Sequence, residues 1–136
     1  MALWRLYYHI VWAVKSRFSL ITDDIEKPLY QYLIGKTDSL GGVVHAIGGI
    51  EDHIHLAVSI PPKIAVSDFV GKMKGSSSHH VSNEIQKAFA WQRGYGVFSF
   101  GLKQLETAVN YIHNQKKHHR EGSIIRALEK FDDESD

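Results

Sequence analysis

A chain of 136 residues is long enough to bury one two-layer hydrophobic core, so the sequence predicts a single domain over residues 1–136. The chain has no cysteine, which excludes disulfides and metal sites built on thiolates. No apolar run near the N-terminus approaches the roughly 20 residues of a membrane-spanning helix. We therefore expect a cytoplasmic protein without a membrane partner.

The net charge of +1 hides an uneven distribution of charge. The last eight residues, EKFDDESD, hold five acidic residues and one basic residue, and we expect the tail at about 132–136 to be disordered. The stretch from His53 to Arg120 holds nine basic residues against three acidic ones. A basic middle of this kind is compatible with a polyanionic partner such as nucleic acid.

The first third of the chain predicts a strand followed by a helix. The strand covers about Leu3 to Val14, where β-branched and aromatic residues are dense. The helix begins near the capping residues Thr22–Asp24, with Pro28 in its first turn, where a missing N–H costs little. Gly41–Gly42 end it.

The middle of the chain predicts a hairpin and a second helix. A strand from Val43 and a strand over His53–Ile60 are joined by a tight connection, so they pair with each other. A long helix follows from about Val66 to Ala88. An interruption, fraying or a kink is expected at Lys74–Ser78, because its glycine and three serines are poor helix formers.

The last third of the chain predicts one more strand and two helices. The strand lies within Trp91–Phe100, and a strongly amphipathic helix then runs to about Gly122. A short helix from Ser123 to about Phe131 completes the order. The whole pattern predicts an α+β fold of the ferredoxin-like or RRM-like type, with an antiparallel sheet and helices packed on one face. The opposite face of the sheet would then be free for a ligand.

The stretch GIEDHIHLAVSIPP places two histidines on one face of the third strand. In an extended chain His53 and His55 point the same way, and the apolar residues of the alternation point to the other face. Two neutral imidazoles are competent ligands for a divalent metal, although a third ligand is needed for firm binding. The neighbouring Asp52 either orients one of the imidazoles or is an ordinary turn residue. The alternative for the pair itself is two solvated side chains on a polar face.

The amphipathic helix near the C-terminus offers a possible third ligand. Beside its apolar residues, Tyr111 and Gln115 lie one turn apart on one face. A phenol and a side-chain carbonyl would therefore be presented together. The alternative is a boundary tyrosine with a wet hydroxyl and a surface amide. For the nearby His118 and His119 we predict surface histidines, with contact to phosphate as the alternative.

Two motifs together resemble a known family. DHIHLAVSIPP, followed some sixty residues later by AVNYIHNQKKHH, resembles the single-tyrosine HUH transposases (IS200-like), which move bacterial and archaeal insertion sequences as single-stranded DNA. Two further segments also resemble that family, YYHIVWAVKSR and VSDFVGKMKGSSS. The resemblance covers about residues 4–120. In one departure, Ser76 or Ser77 stands where relatives often have a basic residue.

The resemblance implies a role for each residue of the two motifs. His53 and His55 would be metal ligands, Gln115 a third ligand and Tyr111 the nucleophile. The ion would be Mg²⁺ or Mn²⁺. Tyr111 would cleave and rejoin single-stranded DNA by transesterification through a 5′-phosphotyrosine, so that no nucleotide cofactor is needed. Members of the family are homodimers, in which the tyrosine helix can serve the partner's histidines to form composite active sites.

The DNA partner would be single-stranded or hairpin DNA at the ends of the element. Five basic residues are the candidates for phosphate contacts. They are Lys72, Lys74, Arg93, Lys103 and Arg17.

Three other functions remain open at this point. A noncatalytic RRM-like nucleic-acid-binding module would share the fold, although no KGFGFV-type motif is present on any predicted strand. A domesticated relative that processes repeated hairpins would share the chemistry. A metal hydrolase that uses water would share the metal site but would leave Tyr111 dispensable.

Overall fold

The computed structural model describes residues 3–130, in which four strands form one antiparallel sheet with the order β2-β3-β1-β4. The strands are β1 (Tyr7–Ala13), β2 (Val43–Ile50), β3 (His53–Ser59) and β4 (Gly96–Phe100). The long helices are α1 (Asp23–Ser39) and α2 (Val66–Glu84), and the short ones are α3 (Leu105–His113) and α4 (Gln115–Glu121). The predicted α+β class, the antiparallel sheet and the β2–β3 hairpin are confirmed.

The alternation in β3 divides its side chains between two faces of the sheet. On one face, strands β1 and β3 pack against α1 and α2 to form the main hydrophobic core. The strand residues in this core include Ile10, Trp12, Ile54, Leu56 and Val58. Helices α1 and α2 therefore lie on one face of the sheet, as predicted.

The other face of the sheet is partly covered by α3, whereas the sequence predicted that it would be free. Ala46 and Ala57 are small, and Ile112 of α3 packs on them. Gly48 of β2 allows the backbone of α3 to lie close to the sheet, since a Cβ at that position would be 2.2 Å from the Ile112 carbonyl oxygen. Strand β3 is consequently buried on both faces, and the helix that carries Tyr111 is held against the histidine face.

Gly48→Ala should weaken this docking, because the added methyl group forces α3 away from the sheet. We expect a loss of about 1–3 kcal/mol in the free energy of unfolding, which a urea titration measures. Gly35→Ala is the matched control, since a Cβ at that position on α1 meets nothing within 4 Å. Equal stabilities of the two variants would contradict the close packing of α3.

The predicted kink in α2 is wrong, because the helix is continuous from Val66 to Glu84. The Ser76 hydroxyl donates to the Lys72 carbonyl oxygen, 2.7 Å away, within the helix. Ser77 is buried and accepts a hydrogen bond from the Trp91 indole at 2.9 Å. These contacts outweigh the low helix propensity of the serines.

Three other local predictions also differ from the structure. Pro28 is the sixth residue of α1 rather than part of its first turn, so one helical hydrogen bond is lost there. The amphipathic helix is broken at Asn114 into α3 and α4. It ends near Gly122, as predicted, where a φ of 72° gives a left-handed cap. The predicted helix after Ser123 is reduced to a 3₁₀ turn at Arg126–Leu128.

Between residues 3 and 130, no helix has the length and apolar character needed to cross a bilayer. The predicted disorder of residues 132–136 concerns a segment outside the described residues.

Candidate metal and nucleophile site

His53 and His55 lie side by side on the α3 face of β3. Both are fully buried, and their ring centroids are 5.0 Å apart. The period-two geometry of the strand accounts for this arrangement. The alternative of a solvated polar face is therefore wrong.

Each imidazole of the pair is oriented through its Nδ1 atom. His53 Nδ1 lies 2.7 Å from Asp52 Oδ1, and Arg17 holds the other carboxylate oxygen of Asp52 at 3.1 Å. His55 Nδ1 lies 2.7 Å from Nε2 of the buried His9. Burial and the neighbouring His55 lower the pKa of His9 to about 3, so His9 is neutral at physiological pH. With Nδ1 engaged on both rings, both Nε2 atoms face Glu129.

Two residues from the C-terminal part of the chain complete a cluster around these atoms. Glu129 Oε1 lies 3.0 Å from His53 Nε2 and 3.1 Å from His55 Nε2. His119 Nε2 also lies 3.1 Å from the same oxygen. The ligand atoms of these four residues all lie within 4.8 Å of one another. His119 was predicted to be a surface histidine, but its position on α4 directs its side chain toward the cluster.

Tyr111 and Gln115 contact the second oxygen of the same carboxylate. The Tyr111 hydroxyl donates a hydrogen bond to Glu129 Oε2 and accepts one from the Ile125 N–H at 2.9 Å. Gln115 is buried; its amide nitrogen donates to Glu129 Oε2 at 3.4 Å, and its carbonyl oxygen lies 3.0 Å from His119 Nε2. Burial and the hydrogen bond to Glu129 raise the pKa of Tyr111 to about 12. The phenol is therefore protonated at neutral pH.

The donor chemistry of this cluster fits a divalent metal. Three imidazole nitrogens, a carboxylate and an amide oxygen form a mixed nitrogen and oxygen set, which Mn²⁺ accepts more readily than Mg²⁺ does. Carboxylate support behind a ligand histidine, as Asp52 provides for His53, is typical of metal centres. Burial lowers the pKa of His53, but hydrogen bonds to Asp52 and Glu129 outweigh it, so that its pKa is raised overall.

Asp52→Asn should weaken metal binding, because Asn removes the charge that fixes His53. We expect the Mn²⁺ affinity to fall about 10–100-fold, as measured by isothermal titration calorimetry. Asp38→Asn removes the same charge from an exposed position of α1 and serves as the control. An Asp52→Asn variant that binds Mn²⁺ as tightly as the control would show that Asp52 is only a turn residue.

The five predicted DNA-binding residues are not gathered in one place, and Arg17 borders the cluster through its bond to Asp52. Lys74 and Arg93 line a shallow groove of about 310 Å³ beside α2. The Lys74 ammonium donates to the Gln92 and Gly94 carbonyl oxygens at 2.7 and 2.9 Å, and burial lowers its pKa. The remaining three, Lys72, Lys103 and Arg17, are exposed. Their contacts with DNA stay predictions.

An apolar cavity of about 160 Å³ opens beside the Tyr111 ring. Aromatic side chains of β4 form one wall, and the segment after α4 forms another. The lining residues include His9, Phe98, Phe100, Ala108 and Leu128. The volume is sufficient for a planar ring next to the phenol.

Three residues of this cluster were not among the predicted site residues. His9 carries a weak signal, a polar residue within an otherwise apolar strand. His119 follows Gln115 by four residues, the same spacing that joins Tyr111 to Gln115. Glu129 has no local signal, because only the return of the chain after Gly122 brings it to the site.

Known proteins with similar sequences are transposases of insertion sequences. The family model for IS200-like transposases matches residues 2–115. The chain is 30% identical over 119 residues to the ISDra2 transposase TnpA of Deinococcus radiodurans, covering 82% of this chain and 85% of that relative. It is 29% identical over 129 residues to the transposase of insertion sequence element IS200 from Salmonella typhimurium, covering 90% and 84%.

Solved structures share the fold at lower sequence identity. A crystallised Deinococcus radiodurans protein assigned as a transposase superposes with a TM-score of 0.69 at 22% identity, covering 82% of this chain and 94% of that one. A REP-associated tyrosine transposase bound to a REP hairpin gives a TM-score of 0.65 at 16% identity, covering 91% and 76%. Because the family model spans most of the sequence, this chain belongs to the IS200-like transposase family.

Proposed function

We propose that this protein is a metal-dependent transposase that cleaves and rejoins single-stranded DNA by transesterification, with Tyr111 as the nucleophile. One observation carries the proposal: the Tyr111 hydroxyl and the Nε2 atoms of His53 and His55 converge on the two oxygens of one carboxylate. A phenol beside a cluster of metal donors is what attack on a metal-bound phosphodiester requires.

The carboxylate of Glu129 indicates how a phosphodiester would fit. One of its oxygens lies against the imidazole nitrogens and the other against the phenol. A phosphate group in the same place would direct one non-bridging oxygen to the metal donors and bring the phosphate next to the Tyr111 oxygen. Holding the two reacting groups next to each other is the first requirement for displacement at phosphorus.

The reaction exchanges one phosphate ester for another. The Tyr111 oxygen forms a bond to phosphorus as the bond from phosphorus to the 3′-oxygen breaks, and the phenolic proton is lost as the 3′-hydroxyl gains one. The product is a 5′-phosphotyrosine and a free 3′-hydroxyl, which can attack a later linkage without any nucleotide cofactor. An ion held by His53, His55 and Gln115 would polarise the phosphate and stabilise the leaving oxygen.

The DNA partner in this proposal is single-stranded or hairpin DNA. The solved tyrosine transposase with the same fold is bound to a REP hairpin, which supports a hairpin ligand here. The groove with Lys74 and Arg93 would contact the backbone. The cavity beside Tyr111 has aromatic walls on which a base next to the cleaved linkage can stack.

Two features of the proposal concern assembly. We propose a homodimer in the cytoplasm, as the family resemblance implies. The histidine pair and Tyr111 of a single chain already lie together, so one chain is able to supply the whole site in cis. Composite sites in a dimer would require α3 to exchange between subunits.

The test is to incubate the protein with Mn²⁺ and single-stranded oligonucleotides that span its flanking DNA, and then to denature the mixture. We expect a covalent protein–DNA band that disappears with a metal chelator. Cleaved DNA without a covalent band would favour a water-using hydrolase. DNA binding without cleavage would favour an RRM-like binding module, and hairpin processing without strand joining would favour a domesticated relative.

A further inference from the structure

Glu129 is held in the site by a segment of chain that docks at several points. After the turn at Gly122, the chain crosses the open face of the site, and the Ile125 N–H donates to the Tyr111 hydroxyl. At the far end, the Lys130 carbonyl oxygen lies 1.9 Å from where a Cβ on Gly96 of β4 would be, so glycine is required there. The position of the Glu129 carboxylate is therefore fixed by backbone contacts on two sides.

The distances around Glu129 Oε1 fit both hydrogen bonds and atoms that share a metal ion. In an octahedral centre with bonds of about 2.1 Å, adjacent ligand atoms lie about 3.0 Å apart. The oxygen lies 3.0 Å from His53 Nε2, and 3.1 Å from both His55 Nε2 and His119 Nε2. The distance from this one carboxylate oxygen to each of the three imidazole nitrogens is therefore the distance between adjacent ligand atoms of a metal ion.

The hydrogen atoms on His53 show that a proton or a metal ion has to lie between its Nε2 atom and Glu129. A carboxylate only accepts hydrogen bonds, so His53 Nδ1 must carry the hydrogen that it directs at Asp52, 2.7 Å away. In the neutral ring, Nε2 then directs a lone pair at the Glu129 oxygen. Two electron-rich atoms 3.0 Å apart repel each other unless a second proton or a metal ion lies between them.

We propose that Glu129 is a ligand of the resting metal centre and occupies the place that the cleaved phosphate takes, so that DNA must displace it. Its second oxygen accepts the hydrogen bond of the Tyr111 hydroxyl. The oxygen of that hydroxyl is the atom that has to approach phosphorus. The metal-binding part of this inference stands by itself, and the displacement by DNA rests on the proposed function.

The ligand role is tested by metal binding alone, with the full chain and no DNA. Glu129→Gln keeps the shape of the side chain but removes its charge. We expect its Mn²⁺ affinity, measured by calorimetry and by the electron paramagnetic resonance signal of free Mn²⁺, to be at least tenfold lower than that of Glu121→Gln. Glu121 is exposed near the end of α4 and provides the same change of charge. Equal affinities of the two variants would overturn the proposal.

The displacement is tested by DNA binding rather than by cleavage. At saturating Mn²⁺, fluorescence anisotropy of a labelled single-stranded oligonucleotide should show at least threefold tighter binding to Glu129→Gln than to Glu121→Gln. Binding that is equal or weaker would overturn the competition between Glu129 and DNA. Failure of the transposase function would appear separately, as the absence of a covalent adduct in the unmodified protein.

Discussion

Tyr111→Phe is expected to abolish covalent capture of DNA while leaving the fold and the metal site in place. The substitution removes only the hydroxyl, which bonds Glu129 and the Ile125 N–H. The ring keeps its stacking on His118, with centroids 4.8 Å apart. Since no other group would replace the nucleophile, the rate of adduct formation should fall by at least about 10³-fold.

The control for this variant is Tyr32→Phe, whose ring stacks on His80 of α2, on the core face of the sheet. It should form the adduct at the rate of the unmodified protein. Mn²⁺ binding by Tyr111→Phe, measured in parallel, should remain within a few-fold of the unmodified protein. Cleavage that continues in Tyr111→Phe would mean that water is the nucleophile, and the transposase mechanism would be wrong.

His55→Ala is the second substitution with a large expected effect. It removes a fully buried imidazole that faces the cluster through Nε2 and His9 through Nδ1. We expect Mn²⁺ affinity to fall by about 100-fold or more, because loss of a direct ligand should cost at least as much as loss of a supporting group. The covalent adduct should be lost with it.

The His55→Ala substitution also creates a cavity beside His9, so the fold of the variant must be checked by circular dichroism and urea unfolding. His79→Ala is the matched control, since His79 is an exposed histidine on α2. A folded His55→Ala protein with the Mn²⁺ affinity of His79→Ala would contradict a metal role for the histidine pair.

Local periodicity was sufficient to predict which side chains share a face. The alternation in β3 places His53 and His55 together, and the four-residue spacing on the helix places Tyr111 beside Gln115. Both pairs lie together in the structure, within one cluster. These relations depend on a few neighbouring residues, which is why the sequence contains them.

The remainder of the cluster depends on long-range contacts. The antiparallel register of β1 with β3 brings His9 to His55, 46 residues away in sequence. Glu129 reaches His53 across 76 residues, through a docked segment that was predicted to be helical. Neither relation has a period that could be recognised in the sequence. The same limit applies to Lys74, whose ammonium is held by two carbonyl oxygens of a distant loop.

Mapping the covalent adduct tests the proposed role of Tyr111 as the nucleophile. The protein would be treated with Mn²⁺ and a single-stranded oligonucleotide from its flanking DNA, digested with protease and nuclease, and analysed by tandem mass spectrometry. We expect a nucleotide joined through its 5′-phosphate to the oxygen of Tyr111. An adduct on any other residue, or cleaved DNA with a free 5′-phosphate and no adduct, would contradict that role.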